Sequence, residues 1–491
     1  MKRVLSAVLV ILMLLSLIAC GGSGGSSDNA EATTASVTEE VTETTIRRPV
    51  LPESDFDGYE FRFISRGRNT GNTHWYIFDT LYIEEKAGDV VNEAVAMRNQ
   101  LIEDTYNVKL GMVETTSHQS VARTSILAGS QDFDVYGDSI SSSSALAAEG
   151  LMVDLKSIPY LGLEESWWDQ RACNQLSIGD NLYTTVSDFT LMDKHGTWVT
   201  FFTKNMIDKF SLKNPYELVR DGTWTLAEML EMCKTVSFEV DGDGVLTEAD
   251  SYGTVGEGWN INALMVGTGT LMFKKNADDL PELNLDGERV INCFDVASKI
   301  LSDKTLTFFI DRVKGTYNDA WTDCFGGMMA DDRALFYITG MNRVILLRGL
   351  DTSFGIIPQP KYEENQDGYS CVCSYGNTNS ISVPIINTDM ERTGIMLESL
   401  SFESSLTTLP AYIETSVKTK YARDEESAEM LDLIFASRAF DLGLIFNWGS
   451  SGLYTSMLNS GAETFASKIA SSSASYIAAM QKTVDLFEGI A

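Results

Sequence analysis

The feature that most constrains the fold is an alternation of strand-like and helix-like segments that begins near residue 55. A two-residue apolar period predicts strands at 59–65, 108–112, 133–136 and 151–155. Between the first two strands, Val91, Val95, Ile102 and Tyr106 share one helical face. This β-α-β order predicts a mostly parallel sheet covered by helices.

The same alternation continues to the C-terminus. Further strands are predicted at 198–202, 252–255, 334–338, 354–358 and 380–385. A helix over 225–236 is predicted to begin at Thr225, because Glu228 completes a capping box and Trp224 and Met229 are placed as a hydrophobic staple. The last hundred residues are predicted to be helical at 391–404, 424–446 and 473–490. The fold class is therefore α/β.

The globular part, which runs from about residue 55 to residue 491, is too long for a single hydrophobic core. Hydrophobic residues make up 44% of the chain, and cores usually stop growing at about 250–300 residues. We therefore expect two lobes.

The N-terminus has the pattern of an export signal over 1–20. Two basic residues precede an apolar run that ends in Leu-Ile-Ala-Cys, like a bacterial lipobox. We expect Cys20 to carry a lipid that anchors the protein to the outer face of the cell membrane; an ordinary secretory signal is the alternative. Residues 21–54, rich in Gly, Ser, Thr and Glu, are predicted to be a flexible tether.

The charge excludes some partners. A formal net charge of −32 argues against binding to nucleic acid or to an anionic bilayer surface. It suits a well-solvated extracytoplasmic protein with a neutral or cationic ligand. Cys371 and Cys373 lie on one face of a predicted strand, where buried thiols are favoured over a metal or redox pair.

Several segments, in a fixed order, resemble the extracellular solute-binding proteins of bacterial ABC importers, in the maltose-binding-like, carbohydrate-associated family 1 branch. After the lipobox and tether come QDFDVY at 131–136, GDNLY at 179–183, DGTWT at 221–225, DGDG at 241–244 with YG at 252–253, and FGG at 325–327 with TG at 339–340. Each motif alone is weak, and their order carries the resemblance.

The resemblance implies a periplasmic-binding-protein-like (type II) fold of two α/β lobes, joined by hinge strands, with mixed sheets flanked by helices. Lobe one would comprise 55–187 and 340–383, and lobe two 188–339 and 384–491. It further implies a non-enzymatic, monomeric receptor that needs no cofactor. Such a receptor closes on a sugar or oligosaccharide and delivers it to the permease of an ABC importer.

Sugar recognition needs aromatic faces for stacking and planar polar groups for hydroxyls, and ligands in open α/β sheets sit at the carboxyl ends of strands. The candidate ligand-binding residues at strand ends, at the crossover and at the family's aromatic position are Arg66, Tyr136, Asp138, Ser139, Asp188, Glu257, Trp259, Asn260 and Trp448. Alternatives stay open: Arg66 in a surface turn, Asp138 as a helix cap, and Trp448 in the core.

Two other functions stay open. One is a binding protein for a peptide or another metabolite, which an aromatic-poor cleft would favour. The other is a surface glycoside hydrolase, which needs two carboxylates across one cleft. Asp138 and Glu257 would be its candidates.

One acidic loop has the spacing of a calcium site. The oxygen ligands would come from Glu239, Asp241, Asp243, Val245, Thr247 and Asp250, with Gly244 at the turn. Glu at the first position and the short Asp250 at the last depart from the EF-hand pattern, and a strand follows instead of a helix. A structural Ca²⁺ site and an unoccupied acidic turn both remain open.

Overall fold

The described part of the chain is built around two larger β-sheets, one of four strands and one of five. The computed structural model describes residues 47–66, 90–347, 353–413 and 425–489. The predicted signal peptide, Cys20 and most of the predicted tether therefore lie outside the described residues.

The strands alternate with helices through most of the chain. Within the described residues, the strands are β1 (Tyr59–Ser65), β2 (Val108–Glu114), β3 (Val135–Ser139), β4 (Trp198–Thr203), β5 (Tyr252–Gly256), β6 (Phe273–Lys275), β7 (Pro281–Leu283), β8 (Thr307–Phe309), β9 (Ala334–Gly340), β10 (Phe354–Ile357), β11 (Cys371–Val372), β12 (Asn379–Ser382) and β13 (Arg438–Ala439).

The described helices are α1 (Val90–Tyr106), α2 (His118–Leu127), α3 (Ile140–Ala147), α4 (Gln170–Leu176), α5 (Met192–His195), α6 (Lys204–Lys209), α7 (Pro215–Arg220), α8 (Leu226–Val236), α9 (Asn260–Gly267), α10 (Glu288–Ser302), α11 (Ala320–Asp323), α12 (Phe325–Ala330), α13 (Val344–Leu347), α14 (Met390–Leu406), α15 (Thr408–Ala411), α16 (Glu425–Ala436), α17 (Leu442–Ile445), α18 (Leu453–Met457) and α19 (Gly461–Phe487). Short 3-10 helices are Leu155–Ser157, Ile310–Arg312 and Met341–Arg343.

The two larger sheets share one plan. The first has the order β12-β3-β1-β2, and the second has the order β10-β4-β9-β5-β8. In each sheet three adjacent strands run parallel and the next strand is antiparallel: β12 pairs with β3, and β4 pairs with β9. The second sheet has one strand more, because β10 pairs antiparallel with the outer side of β4. This repeated topology is what two α/β lobes require, so the predicted α/β, mixed-sheet fold class is confirmed.

Side chains on both faces of the second sheet are buried. Along β4, Trp198 and Phe202 join one hydrophobic cluster, whereas Val199 and Phe201 join a second cluster on the opposite face. This follows from the two-residue period of a strand. Both faces are therefore covered, as in an α/β protein.

Two antiparallel segments cross between the sheets. Thr185 pairs with Ile381 beside the first sheet, and Thr197 pairs with Cys373 where β4 of the second sheet begins. Residues 185–197 and 373–381 therefore form the crossing segments. Residues 48–491 form one compact unit, within which these segments link the two sheets.

Two elements contact a different sheet from the one expected for their predicted lobe. Strand β10 lies within 340–383, expected in lobe one, but it pairs with β4 in the second sheet. Helix α14 lies within 384–491, expected in lobe two, but it packs against α1 beside the first sheet, where Tyr106 and Ser399 share a hydrogen bond of 2.8 Å. Both differences arise from long-range packing, which sequence periodicity does not encode.

Most predicted elements lie where the patterns placed them, with three differences. The segment at 151–155 forms only a single bridge, from Met152 to Pro384. The predicted helix at 424–446 is divided into α16 and α17 by the short strand β13. The last helix, α19, begins at Gly461, before the predicted start. The cap at Thr225 is present, because its side chain accepts from the N–H of Glu228 at 3.3 Å.

Candidate functional site

The carboxyl edge of the first sheet carries one set of polar side chains. β1, β2 and β3 are parallel, so their carboxyl ends lie at the same edge. Arg66 follows β1 there, and Ser139 ends β3. The antiparallel β12 begins at this edge, because Asn379 pairs with Ser139.

The second sheet presents a matching edge. β5, β8 and β9 are parallel, so Glu257 and Arg343 follow strand ends on the same side. β4 begins at this edge, because Trp198 pairs with Gly340. The second set of polar and aromatic side chains therefore stands at one end of this sheet.

The crossing turn at 374–378 contacts both edges. Its Tyr375 carbonyl accepts from the N–H of Ser141 at 3.1 Å, and its Gly376 carbonyl accepts from Nη2 of Arg66 at 3.4 Å. The ring centroid of Tyr375 lies 6.1 Å from that of Trp259 on the second sheet's edge. The two edges therefore meet at this turn, which defines the candidate site.

Asp138 holds Arg66 in place at the first edge. The Asp138 carboxylate is fully buried. It accepts from the backbone N–H of Arg66 at 3.0 Å, from Nε of Arg66 at 3.1 Å and from the N–H of Ser139 at 2.5 Å. Nε2 of His118 lies 3.1 Å away as well. Asp138 is thus a positioning group, and the Arg66 side chain, which is 15% exposed, is the group presented at the edge.

Tyr136 and Ser139 point into the first lobe's interior. Tyr136 is fully buried in the hydrophobic core, and burial raises its pKa well above the ordinary value. The Ser139 hydroxyl is 2.7 Å from that of Ser142. Neither side chain is accessible at the edge, because β3 is buried along its whole length.

Glu257 presents a carboxylate at the second edge. Its side chain is half-buried. Burial raises its pKa, while the nearby Arg343 guanidinium and the Trp321 indole N–H act to lower it. Its backbone N–H donates to Oδ1 of Asn260 at 2.9 Å. The turn therefore fixes the carboxylate next to two donors.

Asn260 serves this turn and does not face a ligand. It is fully buried, and its Nδ2 donates to the Ile338 carbonyl at 2.9 Å. Both ends of the amide are thus bonded to the backbone. The sequence placed Asn260 among the ligand-binding residues, but the structure gives it a role in orienting Glu257.

Three aromatic rings stand together beside Glu257. Trp259 is half-buried, and its ring centroid lies 4.3 Å from that of the buried Trp198 and 6.1 Å from that of the half-buried Tyr375. We call Trp198, Trp259 and Tyr375 the aromatic cluster. It supplies the flat apolar surface that the sequence assigned to Trp259 alone.

Several buried polar atoms near this site have no hydrogen-bond partner. Among the described residues, Nε1 of Trp198, Nε1 of Trp321, Oγ1 of Thr378 and Nδ2 of Asn379 are of this kind. Buried polar groups are usually hydrogen-bonded. These atoms are therefore able to bond to a polar group that reaches them.

Asp188 and Trp448 each contact side chains that are not part of the aromatic cluster. Asp188 is within a crossing segment, where its carboxylate pairs with Nζ of Lys194 at 3.4 Å, and burial raises its pKa. Trp448 is buried in the core, with its ring centroid 4.8 Å from Phe273 and its Nε1 donating to Thr483. The core alternative for Trp448 is the one the structure supports.

Four residues at this site were not among the predicted ligand-binding residues: Trp198, Trp321, Arg343 and Tyr375. Trp198 begins a predicted strand, and Tyr375 comes two residues after Cys373, which lies in another predicted strand, so strand ends are a signal that could have found both. Arg343 and Trp321 lie farther from the end of any predicted strand and have no such signal.

The acidic loop gathers three of its six predicted calcium ligands. One carboxylate oxygen from each of Glu239, Asp241 and Asp243 lies within 4.8 Å of the others. The buried Asp250 instead accepts from the N–H groups of Val240 at 2.8 Å and Thr247 at 2.7 Å. Three oxygens fit the chemistry of Ca²⁺, whereas Asp250 holds the loop together.

The cysteines 371 and 373 are buried free thiols, as the sequence favoured. Burial raises the pKa of Cys371 to about 11 and that of Cys373 to about 12. Thiols of this kind are unreactive.

Structural comparison gives consistent matches along almost the whole chain. A cyclo/maltodextrin-binding protein in complex with maltotetraose has a TM-score of 0.54 at 12% identity, over 89% of this chain and 98% of its own. A sugar transporter from Rhizobium etli in an open conformation has 0.53 at 12%, over 87% and 99%. An ABC substrate-binding protein from Listeria monocytogenes in complex with cycloalternan has 0.51 at 12%, over 88% and 99%.

The chain has the two-lobe fold of these binding proteins. The predicted resemblance to solute-binding proteins is therefore confirmed at the level of the fold. No protein-family model matches the sequence, and no curated protein does so either. Across the described residues, no helix is both long and apolar enough to cross a membrane.

Proposed function

We propose that this protein is an extracellular, membrane-anchored solute-binding protein. It captures a sugar or an oligosaccharide between its two lobes and delivers it to the permease of an ABC importer. The structurally similar proteins are described as binding maltotetraose or cycloalternan, which supports a sugar ligand here. The affinity expected of such a receptor is on the order of micromolar.

The observation that carries this proposal is the aromatic cluster at the turn where the edge bearing Arg66 meets the edge bearing Glu257 and Trp259. A sugar ring offers an apolar face to Trp259, while its hydroxyls bond to planar groups such as Glu257 and Arg66. The unpartnered buried donors Trp198 Nε1 and Asn379 Nδ2 suit a hydroxylated ligand as well. A cleft poor in aromatic rings would have favoured a peptide or another metabolite instead.

The site supports binding without catalysis. A glycoside hydrolase needs two carboxylates that reach the bond to be cleaved. Asp138 is fully buried and engaged by N–H groups of Arg66 and Ser139. It therefore lacks the access that a nucleophile or a general acid requires, and Glu257 has no partner carboxylate in Asp138.

A calorimetric and thermal-shift screen against a broad panel of mono- and oligosaccharides tests this function. At least one sugar should bind with a Kd near micromolar and raise the melting temperature. Trp259→Leu should weaken that binding about tenfold or more, while the exposed control Tyr160→Leu should not. Binding of only peptides or other metabolites would overturn the sugar assignment, and release of reducing sugar would indicate a hydrolase.

Anchoring and partners form a separate part of the proposal. Lipidation of Cys20 would hold the protein on the outer face of the membrane, with the tether leaving the lobes able to reach a permease. In a bacterial host, Cys20→Ser should move the protein from the membrane fraction to the medium. Light scattering should give the mass of a monomer. Retention of the variant in membranes would contradict the lipid anchor.

We also propose that Ca²⁺ occupies the acidic loop as a structural ion. The clustering of Glu239, Asp241 and Asp243 supports this assignment. The loop lies between α8 and β5, the strand that leads to Glu257. An ion there would stiffen the connection behind the site, without any signalling role.

A further inference from the structure

One oxygen of the Asp138 carboxylate, Oδ1, is shared by three nitrogen donors. The Ser139 N–H lies 2.5 Å from it, and Nε of Arg66 and Nε2 of His118 each lie 3.1 Å from it. A carboxylate oxygen offers about two lone-pair sites. Three donors therefore exceed what Oδ1 can serve fully. The Ser139 donor belongs to the backbone of β3 and is fixed there, so Arg66 and His118 are the two donors that compete.

The His118 imidazole is enclosed in the first lobe. It begins α2 and is 9% exposed, and its ring centroid lies 6.1 Å from that of the buried Tyr136. Among the described residues, its Nδ1 is buried without a hydrogen-bond partner, whereas its Nε2 lies against Asp138. A change in the charge of this imidazole therefore acts through Asp138.

The other charged groups nearby have different neighbours. The titratable and charged groups on the elements around the imidazole are Tyr59, Glu60, Arg62 and Arg66 on or after β1, Tyr136 and Asp138 on β3, and Arg123 on α2 itself. Helix α3, which also packs against α2, carries none. The groups within β1 precede its carboxyl end, where the Asp138 carboxylate lies. Arg123 pairs with Glu149 at 2.5 Å. The charges that meet His118 are thus Asp138 and, through it, Arg66.

A proton on His118 changes the competition for Oδ1. Imidazole is the side chain that ordinarily changes its charge between about pH 5 and 8. When it is protonated, its Nε2–H is a charged donor, and charge-assisted hydrogen bonds are about twice as strong as neutral ones. Oδ1 then holds His118 more tightly and Nε of Arg66 less tightly. Because Nη2 of Arg66 also donates to the Gly376 carbonyl at 3.4 Å, a loosened guanidinium weakens the contact with the crossing turn.

We propose that His118 is a positioning residue whose protonation displaces Arg66 from Asp138 and thereby weakens ligand binding in mild acid. The competition itself follows from contacts within the first lobe. Its effect on affinity rests on the proposed function, because it requires Arg66 to contact the ligand. By reciprocity, a ligand that holds Arg66 in place lowers the protonated fraction of His118.

The competition is tested in the free protein by NMR. The chain has three histidines, so isotopic labelling of histidine nitrogen gives few imidazole signals, and His118→Gln identifies those of His118. Arg66→Met removes the competing guanidinium, so the protonated fraction of His118 at neutral pH should rise about twofold or more. Arg123→Met is the control for the loss of a cation that pairs with Glu149 instead of Asp138, and it should change the fraction less. Equal changes in the two variants, or no change in Arg66→Met, would overturn the competition.

The effect on affinity is measured by calorimetry with maltotetraose, or with the saccharide of the panel that binds most tightly. His118→Gln keeps a neutral donor but cannot gain a charge. Its affinity should lie within about threefold of that of the intact protein at about pH 7.5, and it should fall at least threefold less on acidification to about pH 5.5. The fall that remains is the part expected from Glu257. Melting temperatures recorded in parallel show that each variant is folded, and His118→Asn replaces His118→Gln if the latter does not fold.

The outcomes separate this inference from the proposed function. If saccharides bind, but His118→Gln loses affinity in acid as steeply as the intact protein, the role of His118 is overturned while sugar binding stands. If no saccharide of the panel binds, the proposed function fails, and the effect of His118 on sugar affinity fails with it. The NMR result then decides by itself whether His118 competes with Arg66 for Asp138.

Discussion

Asp138 accepts two hydrogen bonds from Arg66, one from the backbone N–H at 3.0 Å and one from Nε at 3.1 Å. The first fixes the chain where β1 ends, and the second fixes the direction of the guanidinium. A single buried carboxylate therefore determines both the path of the backbone and the position of the cation. Under the proposed function, Asp138 would act on the ligand only through Arg66.

Replacing Asp138 with Asn should weaken ligand binding without removing any group that contacts the ligand. The amide keeps the shape but loses the charge that Arg66 and His118 face, and charge-assisted hydrogen bonds contribute about 1.5–3 kcal/mol. We expect a loss of affinity of about tenfold or more, measured by calorimetry with the ligand found in the screen. The exposed Asp180→Asn is the control. Unchanged affinity in the Asp138 variant would show that Arg66 is not a ligand contact.

Two tryptophans with similar sequence surroundings should respond in opposite ways. Trp448 is 4% exposed, with its N–H donating to Thr483, so Trp448→Ala should lower the free energy of unfolding by about 3–5 kcal/mol. Trp259 is half-buried, so Trp259→Ala should cost about 1 kcal/mol but weaken ligand binding. Urea unfolding and calorimetry separate the two effects. Equal losses of stability would mean that Trp259 is also a core residue.

Ligand affinity should fall in acid because of Glu257. Burial raises its pKa, so the carboxylate becomes protonated at a higher pH than an ordinary glutamate and then no longer acts as a pure acceptor. Affinity is therefore full above the raised pKa and is lost as the pH falls through it. In the free protein, the contribution of Glu257 to the free energy of unfolding changes with pH in the opposite direction. A pKa that is higher in the folded state than in the unfolded state means that protonation favours folding.

Glu257→Gln provides the comparison for both pH effects. Its affinity should be lower than that of the intact protein at neutral pH and should change less as the pH falls below neutral. The difference in melting temperature between the intact free protein and the variant should also vary with pH in that range. If the affinities of the two proteins changed with pH in the same way, a group other than Glu257 would be the one that titrates.

The elements were predictable where a local pattern decides them. β1 has the predicted bounds because, in YEFRFIS, the more exposed Glu60 and Arg62 alternate with the buried Phe61 and Phe63. The division of 424–446 was not predictable, because Arg438 and Ala439 pair with residues more than sixty positions away. Asp441 then caps α17 through the N–H of Gly443. Only the folded chain brings these partners together.

The candidate site was predictable in position but only partly in composition. Strand ends located Arg66, Glu257 and Trp259, since parallel strands finish at one edge. Whether a side chain at such an end is available to a ligand depends on its hydrogen-bond partners in the folded chain. The amide of Asn260 is not available, because it is hydrogen-bonded to two backbone groups. Trp448 looked equivalent to Trp259, but its ring packs against Phe273.

Calcium should stabilise the protein through the acidic loop. If Ca²⁺ binds the folded loop only, an excess at about one hundred times its Kd adds about 2.7 kcal/mol to the free energy of unfolding. The melting temperature should rise with Ca²⁺ and fall with a chelator, and Asp241→Asn with Asp243→Asn should abolish both changes. Asp250→Asn should be less stable with or without calcium, because Asp250 bonds the loop backbone. If the melting temperature changed with neither calcium nor chelator, the loop would be an acidic turn that binds no ion.

The largest electrostatic effect on stability should come from Arg438. Its buried guanidinium bonds to Asp169 and, at 2.5 Å, to Asp193 in the crossing segment. Arg438→Met would remove the cation bound to the buried Asp169 and leave Asp193 with Lys194 alone, whose Nζ lies 3.1 Å away, and this should cost about 3–5 kcal/mol in urea unfolding. Adding Asp193→Asn should recover part of this loss. The exposed Arg220, paired with Glu426 and Glu429, is the matched control.

Arg220→Met should cost less than about 1 kcal/mol, because exposed ion pairs are screened by solvent. The contrast between the two arginines is the critical result, since each forms ion pairs with two carboxylates. If their losses were equal, burial would not be the cause. If Arg438→Met were as stable as the intact protein, the carboxylates at the crossing segment would be protonated or hydrated. The ionic contacts would then not hold that segment in place.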